Sequence, residues 1–282
     1  MIRSLLAALI FLIASPLFAQ DLRFSCKGDK DVRATALEWL SAASASPAAR
    51  DADRAAGEKA YQAALAVHAQ VMAGKDAGPL YQGSSHFLAL AAAAKSDRTR
   101  TLFERAAKDQ LFRLDLEAAI RRESWAAGLS DNAASYAFSL IGPVLGCGVD
   151  KEDTAWLKAE IAKDGWFTIS RDGSEADNAA WLMTQHADED LPFQKQMLAL
   201  LEPLVARHET NPKNFAYLYD RVAVNEQRPQ RYGTQGMCTD AGVWAPRQTE
   251  APENLDARRA AVGLPPEASY VALFHCPKTT PH

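Results

Sequence analysis

The chain has 282 residues, 48% of them hydrophobic, and a formal net charge of −4. This length and apolar content are sufficient for one large domain or two modest ones, each with its own core. The slight acidic excess and the lack of a basic run argue against binding to nucleic acid phosphates or to an anionic membrane surface.

Residues 1–19 predict a secretory signal peptide. Arg3 supplies the basic start, an apolar run extends from Leu5 to Ala14, and Ala19 ends an acceptable cleavage sequence. The run is too short to span a bilayer, so we expect no stable membrane insertion, with a membrane anchor as the alternative. The mature chain is therefore expected in the periplasm or in the secreted fraction.

The four cysteines all follow the expected cleavage point, where an oxidising compartment favours two disulfides. Three pairings are possible, and we favour Cys26–Cys147 with Cys238–Cys276 because each pair would tie the edge of one half of the chain. Their spacing is not that of a zinc site or of a CxxC redox motif, so neither is expected.

Residues 31–145 are rich in Ala and Leu at helical spacing, which predicts antiparallel pairs of helices. The segments "SASPAA", "GKDAGP" and "GLSDN" separate these helices. A helical-repeat array is the alternative arrangement, although the sequence has no clean fixed-period repeat. We expect residues 20–98 to form an N-terminal helical portion.

The middle of the chain contains clearer boundaries. Asp153 and Gly165 are typical of the start and stop of a helix, and "WFTIS" between residues 166 and 170 has the composition of a short strand. Ser174 with Asp177 resembles a capping pair for the helix that leads to His186.

Further helices are expected in the last third of the chain. Asp190 begins one of them, and Pro203 should kink or split it. Asn211 with Pro212 begins another, because these residues suit the N-cap and the first helical position. The expected fold is mainly α, an irregular helical bundle or helical-repeat-like array with at most a short strand or two, and the site is expected in a helical domain at 99–282.

Polar residues occur where helical spacing predicts burial, and His186 is in register with Ala179, Leu182 and Met183. Buried polar groups without partners cost about 1–3 kcal/mol each, so we expect them to meet in a shared cluster. Taken singly, each could instead be a hydrogen-bonded core residue or an ordinary ion pair. The residues concerned are Asp109, Gln110, Arg113, Gln185, His186, Gln194, Asp220 and Arg221.

Seven segments contain or flank these residues: "KDQLFR", "GWFTIS", "AAWLMTQHADED", "PFQ", "FAYLYDRV", "PQRYGTQGM" and "NLDARRAAVGLPP". Together, over roughly residues 100–272, they resemble an uncharacterised bacterial family of unknown function with Gln-His-x-Asp, Asp-Arg and Tyr-Gly-Thr-Gln signatures. The resemblance implies no particular activity or cofactor. It adds to the candidate group Asp188, Gln230, Tyr232, Thr234 and Gln235.

Among these side chains, His186 is the candidate general acid or base because its unperturbed pKa is nearest to neutrality. Asp188 or Asp220 would orient it, and Arg113 and Arg221 would hold an anionic group. We therefore expect catalytic roles for His186, Asp188 and Asp220. We expect ligand-binding roles for Asp109, Gln110, Arg113, Gln185, Gln194, Arg221, Gln230, Tyr232, Thr234 and Gln235.

These candidates favour a polar pocket for a small anionic or amide-rich ligand, with general acid–base hydrolysis or transfer through His186 as the reaction. The alternatives are a non-catalytic periplasmic module that binds a small molecule, peptide or protein, and a purely structural network. A covalent route would need Thr234, and a metal at His186, Asp188 and Asp190 would lack a second spaced histidine. We expect no metal and no cofactor, and the oligomeric state is left open.

Overall fold

The structure is a computed structural model that describes residues 31–239, 241–274 and 276. It is mainly helical with a two-stranded antiparallel sheet, which confirms the expected fold class. The predicted signal peptide lies outside the described residues. The chain divides into two compact units, the first ending at Asp153 and the second beginning at Thr154. The predicted division between residues 98 and 99 falls inside the first unit, within a helix.

In the first unit, the Ala- and Leu-rich segments form helices around a core that includes Leu40, Tyr61, Phe112, Tyr136 and Leu140. Several of these helices begin after an Asp or Ser whose side chain accepts hydrogen bonds from the first turn, as N-cap residues do. The helices are α1 (Val32–Ala43), α2 (Pro47–Met72), α3 (Gln82–Ala93), α4 (Asp97–Arg121) and α5 (Asp131–Ile141), and α6 (Cys147–Asp164) starts in this unit.

Helix α4 is buried on most of its surface and carries several buried polar side chains. Asp115 is fully buried and accepts hydrogen bonds from the Tyr81 hydroxyl at 2.8 Å and from Trp125 Nε1 at 3.2 Å. His68 Nδ1 lies 3.4 Å from the other Asp115 oxygen. These partners compensate for removing the carboxylate from water, so α4 can lie in the core despite its charge.

The second unit contains the remaining helices and the small sheet. Gly165 has a φ of +72°, a conformation that costs glycine little, and it follows the last residue of α6 as the sequence predicts. The other elements are α7 (Ile169–Asp172), α8 (Ser174–Gln185), α9 (Leu191–Ala206), α10 (Pro212–Asn225), β1 (Gly236–Cys238), β2 (Trp244–Pro246), α11 (Leu255–Ala261) and α12 (Glu267–Val271).

Two local predictions from helix-end chemistry are confirmed. Asp190 caps α9 by accepting a hydrogen bond from Phe193 N at 3.1 Å. Asn211 caps α10 by accepting one from Lys213 N at 3.0 Å, with Pro212 at the first helical position. Both signals depend on residues close in sequence, which is why they could be read without the fold.

Three other local predictions are wrong, and one is wrong in part. The segment 166–170 is not a strand, because Ile169 and Ser170 begin the short helix α7. Pro203 does not split α9, which continues through it to Ala206, and the alternative of a kink stays a prediction. Asp153 is an interior residue of α6 rather than its cap. Ser174 and Asp177 form no capping pair, because the Asp177 side chain bonds elsewhere.

Asp177 joins the start of α8 to the start of α10. Its buried carboxylate accepts hydrogen bonds from Trp166 Nε1 at 2.7 Å, Thr210 Oγ1 at 2.6 Å, Asn211 N at 3.0 Å and Asn214 Nδ2 at 3.4 Å. Burial raises the pKa of Asp177, and the four donors oppose that rise. The first turns of α8 and α10 therefore lie side by side.

One helical stretch of the described residues, Asp131–Asp164, is long and apolar enough by composition to cross a membrane. Half of its most apolar window is buried inside the protein, as is common for a core helix. Length and composition alone therefore do not identify it as a membrane span.

The crossing of α2 and α5 gives a test of the packing. A Cβ on Gly57 would lie 2.8 Å from both the Ala133 carbonyl oxygen and Tyr136 Cδ1, whereas a Cβ on Gly83 in α3 would meet nothing within 4 Å. We predict that Gly57→Ala lowers the free energy of unfolding by about 1–3 kcal/mol through overpacking. Gly83→Ala, the matched control, should raise it by about 0.5–1 kcal/mol. Urea denaturation measures both, and equal effects would contradict this packing.

Candidate functional site

Asp188, which lies three residues after the end of α8, forms an ion pair with Arg221 of α10. Arg221 Nη1 lies 2.7 Å from Asp188 Oδ2 and 2.9 Å from Asp188 Oδ1. The Asp188 side chain is 52% exposed and that of Arg221 20%. Desolvation is the largest effect and raises the pKa of Asp188, but the charge and hydrogen bonds of Arg221, together with His186 and Gln194, outweigh it and lower the pKa overall. The pair is therefore charged and reachable from solvent on the Asp188 side.

Gln194 of α9 holds this pair from the buried side. Its fully buried Nε2 lies 3.2 Å from Asp188 Oδ1 and 3.2 Å from each of the Thr184 and Gln185 carbonyl oxygens. Those carbonyls belong to the last turn of α8, where carbonyl groups lack the usual i+4 donor, although Ala187 N also lies 3.3 Å from the Thr184 oxygen. Gln194 thus fixes the end of α8 and the position of Asp188 together.

Three buried polar atoms beside the pair have no hydrogen-bond partner among the described residues: Trp181 Nε1, Gln185 Oε1 and Arg221 Nε. Trp181 and Gln185 are one turn apart on α8, as Tyr217 and Arg221 are on α10. The Trp181 and Tyr217 rings lie 5.9 Å apart, between the Asp177 contacts at one end and the Asp188–Arg221 pair at the other. We call Trp181, Gln185, Tyr217 and Arg221 the α8–α10 face.

An unpartnered buried polar atom costs about 1–3 kcal/mol, so three on one face are a considerable cost for a structure to retain. Two of the atoms, Trp181 Nε1 and Arg221 Nε, can only donate hydrogen bonds, while Gln185 Oε1 accepts them. The face thus contains two unpartnered donors and one unpartnered acceptor beside the Asp188–Arg221 pair.

His186 follows α8 directly as its C-cap residue, and it is partly exposed. His186 contributes to the lowered pKa of Asp188, after the larger effects of burial and of Arg221. The structure therefore places predicted residues Gln185, His186, Asp188, Gln194 and Arg221 around the end of α8.

Asp220 serves a neighbouring loop. Its fully buried carboxylate accepts hydrogen bonds from Arg231 N at 2.7 Å, Tyr232 N at 3.0 Å, Thr234 N at 2.9 Å and Thr234 Oγ1 at 2.9 Å. Burial raises the pKa of Asp220, and the loop N–H groups oppose the rise. Both oxygens are engaged in holding residues 231–234, and the predicted catalytic role of Asp220 stays a prediction.

The remaining predicted loop residues hold one another. Gln230 donates from Nε2 to the Gln235 carbonyl at 2.7 Å and to the Arg247 carbonyl at 2.9 Å, and it accepts a bond from Gln235 N at 2.8 Å. The Tyr232 ring meets Tyr219 edge-on at 6.0 Å. Their hydrogen bonds and ring contacts are those of a packed turn, and their ligand-binding roles also remain predictions.

In the first unit, the predicted residues of α4 form an ion-pair network. Arg113 bonds Asp109 Oδ1 through Nη1 and Asp150 Oδ1 through Nη2, each at 2.8 Å. Gln110 Nε2 donates to Asp109 Oδ2 at 2.8 Å. The helical pairing of Asp109 with Arg113 is thus present, and their part in ligand binding stays a prediction.

Asp153 belongs to the same unit and was missed as a site candidate because its sequence resembles a helix cap. It is 4% exposed, Arg105 Nη1 lies 2.7 Å from its Oδ1, and its Oδ2 has no partner among the described residues. Burial and the charge of Asp109 raise the pKa of Asp153 to about 7, against the opposing effect of Arg105.

The predicted disulfide between Cys238 and Cys276 is present. Cys238 and Trp244 face each other across the two strands and pack with Tyr270 and Phe274, so the bond ties the sheet to the end of the described chain. The other favoured pair, Cys26–Cys147, includes a residue outside the described ranges and stays a prediction.

A comparison with protein families decides the relationship that the sequence motifs suggested. The model of a family described as "Family of unknown function (DUF6624)" matches residues 107–277. The chain belongs to this family. DUF6624 thus covers α8, α10 and the Asp220 loop, and it starts within α4. Neither the search of curated proteins nor the search of solved structures found a match.

Across the described ranges, no group of three or more His, Cys, Asp or Glu side chains is arranged to hold a metal ion. The carboxylates of Asp109, Asp188 and Asp220 instead contact arginines, a hydroxyl and backbone N–H groups.

The raised pKa of Asp153 predicts a pH dependence of stability. Its pKa is 3.8 ordinarily and about 7 in the fold, so as pH rises from 4 to 7 the unfolded chain loses the proton first and stability falls. At about 1.36 kcal/mol per pKa unit, the contribution is at most about 4 kcal/mol. We predict that Asp153→Asn removes this slope, measured as the wild-type minus variant difference in unfolding free energy between pH 4 and 8. A difference that does not vary with pH would show that Asp153 titrates normally.

Proposed function

We propose that this DUF6624 protein is exported and binds a small ligand through a carboxylate of that ligand, at the α8–α10 face. The observation that carries the proposal is the set of three unpartnered buried polar atoms on Trp181, Gln185 and Arg221. A bound ligand would supply the missing partners, and ordered water is the competing explanation.

Arg221 supports a carboxylate as the group recognised. A guanidinium presents several donors in one plane and matches the two oxygens of a carboxylate. Nη1 is engaged by Asp188, while Nε is unpartnered, so donor capacity remains on the same side chain. Trp181 Nε1 adds a second donor and the aromatic rings of Trp181 and Tyr217 add apolar surface.

Export is supported by two observations. The first 19 residues have the basic, apolar and small-residue segments of a signal peptide. The Cys238–Cys276 disulfide suits an oxidising compartment such as the periplasm or the cell exterior.

Acid–base catalysis through His186 is the second candidate function. The electrostatic coupling between His186 and Asp188 favours it, because a nearby carboxylate stabilises the imidazolium that forms during proton transfer. Binding alone requires only complementarity at the face, which is why we place it first.

Replacing Arg221 tests the proposal. We predict that Arg221→Gln weakens binding of carboxylate ligands by about 10-fold to 100-fold, the effect of losing one charge-assisted hydrogen bond. The measurement is isothermal titration with ligands found by a thermal-shift screen of free amino acids, N-acetyl amino acids and dicarboxylic acids. Arg207→Gln, an exposed arginine at the end of α9, is the control and should bind normally. Unchanged affinity in Arg221→Gln would refute the assigned site.

His186→Gln separates the two functions. If the protein only binds, the variant should keep its affinity within a few-fold and neither form should turn the ligand over. If the protein is a catalyst, wild-type protein should convert the ligand and the variant should lose at least about 100-fold in rate, a usual effect of removing a general acid or base. Mass spectrometry of ligand incubated with each form distinguishes these results.

Export has its own test. We predict that expression of the full chain in a Gram-negative host yields a periplasmic protein that begins at Gln20, because cleavage is expected after Ala19. Intact mass of the periplasmic fraction measures this. Full-length protein retained in the cytoplasm would contradict export.

A further inference from the structure

We infer that the ligand of the α8–α10 face is an α-amino acid, bound as a zwitterion with its carboxylate on Arg221 and its ammonium on Asp188. The inference rests on the proposed function and adds the chemical class of the ligand.

The first argument is charge balance. Asp188 already neutralises Arg221, with both carboxylate oxygens within 2.9 Å of Nη1. A ligand that is only an anion would have to compete with Asp188 for the guanidinium and would then face the negative charge of Asp188. A zwitterion replaces both partners of the pair, so that neither charge is left alone.

The second argument is spacing. The closest charged atoms of the pair are 2.7 Å apart, so the two protein charges that the ligand must meet are neighbours. A ligand fits such a pair when its own opposite charges are also neighbours. In an α-amino acid, the ammonium and the carboxylate are bonded to the same carbon, which gives that spacing.

The residues around the Asp188–Arg221 pair can stabilise its two side chains when they separate to admit a ligand. Gln194 Nε2 holds Asp188 Oδ1 at 3.2 Å from the buried side, so Asp188 keeps a protein partner when Arg221 turns to the ligand. The 52% exposure of Asp188 leaves room for an ammonium to approach it. Gln185 Oε1 is an additional acceptor for the ammonium, and Trp181 Nε1 is an additional donor to the carboxylate.

Two other charged side chains of the second unit, Arg259 and Asp220, are fully buried. Arg259 is fully buried with Nη2 unpartnered, but its Nε and Nη1 bond backbone carbonyls of a packed turn. The Asp220 carboxylate is occupied by loop donors. Among the described residues of the second unit, only the α8–α10 face combines unpartnered atoms with a partly exposed ion pair.

The experiment compares three matched probes on the mature chain by isothermal titration. The probes are the twenty common L-amino acids, their N-acetyl derivatives, which keep the carboxylate but lose the ammonium charge, and their amides, which keep the ammonium but lose the carboxylate. We expect the tightest amino acid to bind at least 10-fold more tightly than either of its derivatives.

Asp188→Asn gives the second arm. The variant should bind the free amino acid at least 10-fold more weakly than wild type and should bind its N-acetyl derivative no more weakly, because Arg221 is no longer neutralised. Glu202→Gln, an exposed residue of α9 with the same change in charge, should behave as wild type. Circular dichroism of each variant confirms that the helices are retained.

The outcomes are distinct. N-acetyl derivatives that bind wild type as tightly as free amino acids would overturn the zwitterion inference and leave the proposed carboxylate site intact. Amides that bind as tightly as free amino acids would overturn both, since the carboxylate would then contribute nothing. If none of the three probe sets binds, the zwitterion inference fails, and the carboxylate site is decided by the dicarboxylic acids of the thermal-shift screen.

Discussion

The buried carboxylate of Asp177 is the contact on which the arrangement of the second unit depends. By accepting hydrogen bonds from Thr210, Asn211 and Asn214, it fixes the start of α10 against the start of α8. The two helices then run side by side in the same direction. Consequently Trp181, one turn after Asp177, packs against Tyr217, and Asp188 just after the end of α8 pairs with Arg221.

Three carboxylates of this unit differ in role because they differ in exposure and in partners. Asp177 and Asp220 are fully buried, and each is surrounded by neutral donors, so burial dominates and raises the pKa of both. Asp188 is half exposed and paired with an arginine, so its pKa is lowered and it stays charged. A charged, reachable group that already has an ordered position is suited to binding, whereas the other two are suited to holding the fold.

The helical class, several caps and one disulfide could be predicted from the sequence, because helical periodicity and capping are local properties. The caps at Asp190 and Asn211 show this, since each bonds a residue two or three positions away. The role of Asp177 could not be predicted, because its partners Thr210 and Asn214 lie 33 and 37 residues away in sequence. The spacing of Ser174 and Asp177 also matches a helix-capping pair, which is a local interpretation. The strand prediction for segment 166–170 failed for a related reason. Ile169 N donates to the Glu209 carbonyl, a contact between residues distant in sequence, and β-branched composition does not predict such contacts.

For the candidate site, the sequence indicated Gln185, His186, Asp188, Gln194 and Arg221, which the structure places around the end of α8. Trp181 and Tyr217 were missed because aromatic residues on an apolar stripe look like ordinary core. Their importance follows from geometry alone: Trp181 lies one turn from Gln185, and its indole N–H has no partner among the described residues. Helical spacing from the polar candidates is the signal that could have found them.

The account depends most on Arg221 and Asp188 separating to admit a ligand. The most direct measurement is a crystal structure of the mature chain grown with the amino acid that binds most tightly. The account predicts the ligand carboxylate within hydrogen-bond distance of Arg221, its ammonium on Asp188, and Trp181 Nε1 and Gln185 Oε1 partnered. An Arg221–Asp188 pair still closed at 2.7 Å, with water or nothing beside those two atoms, would contradict it.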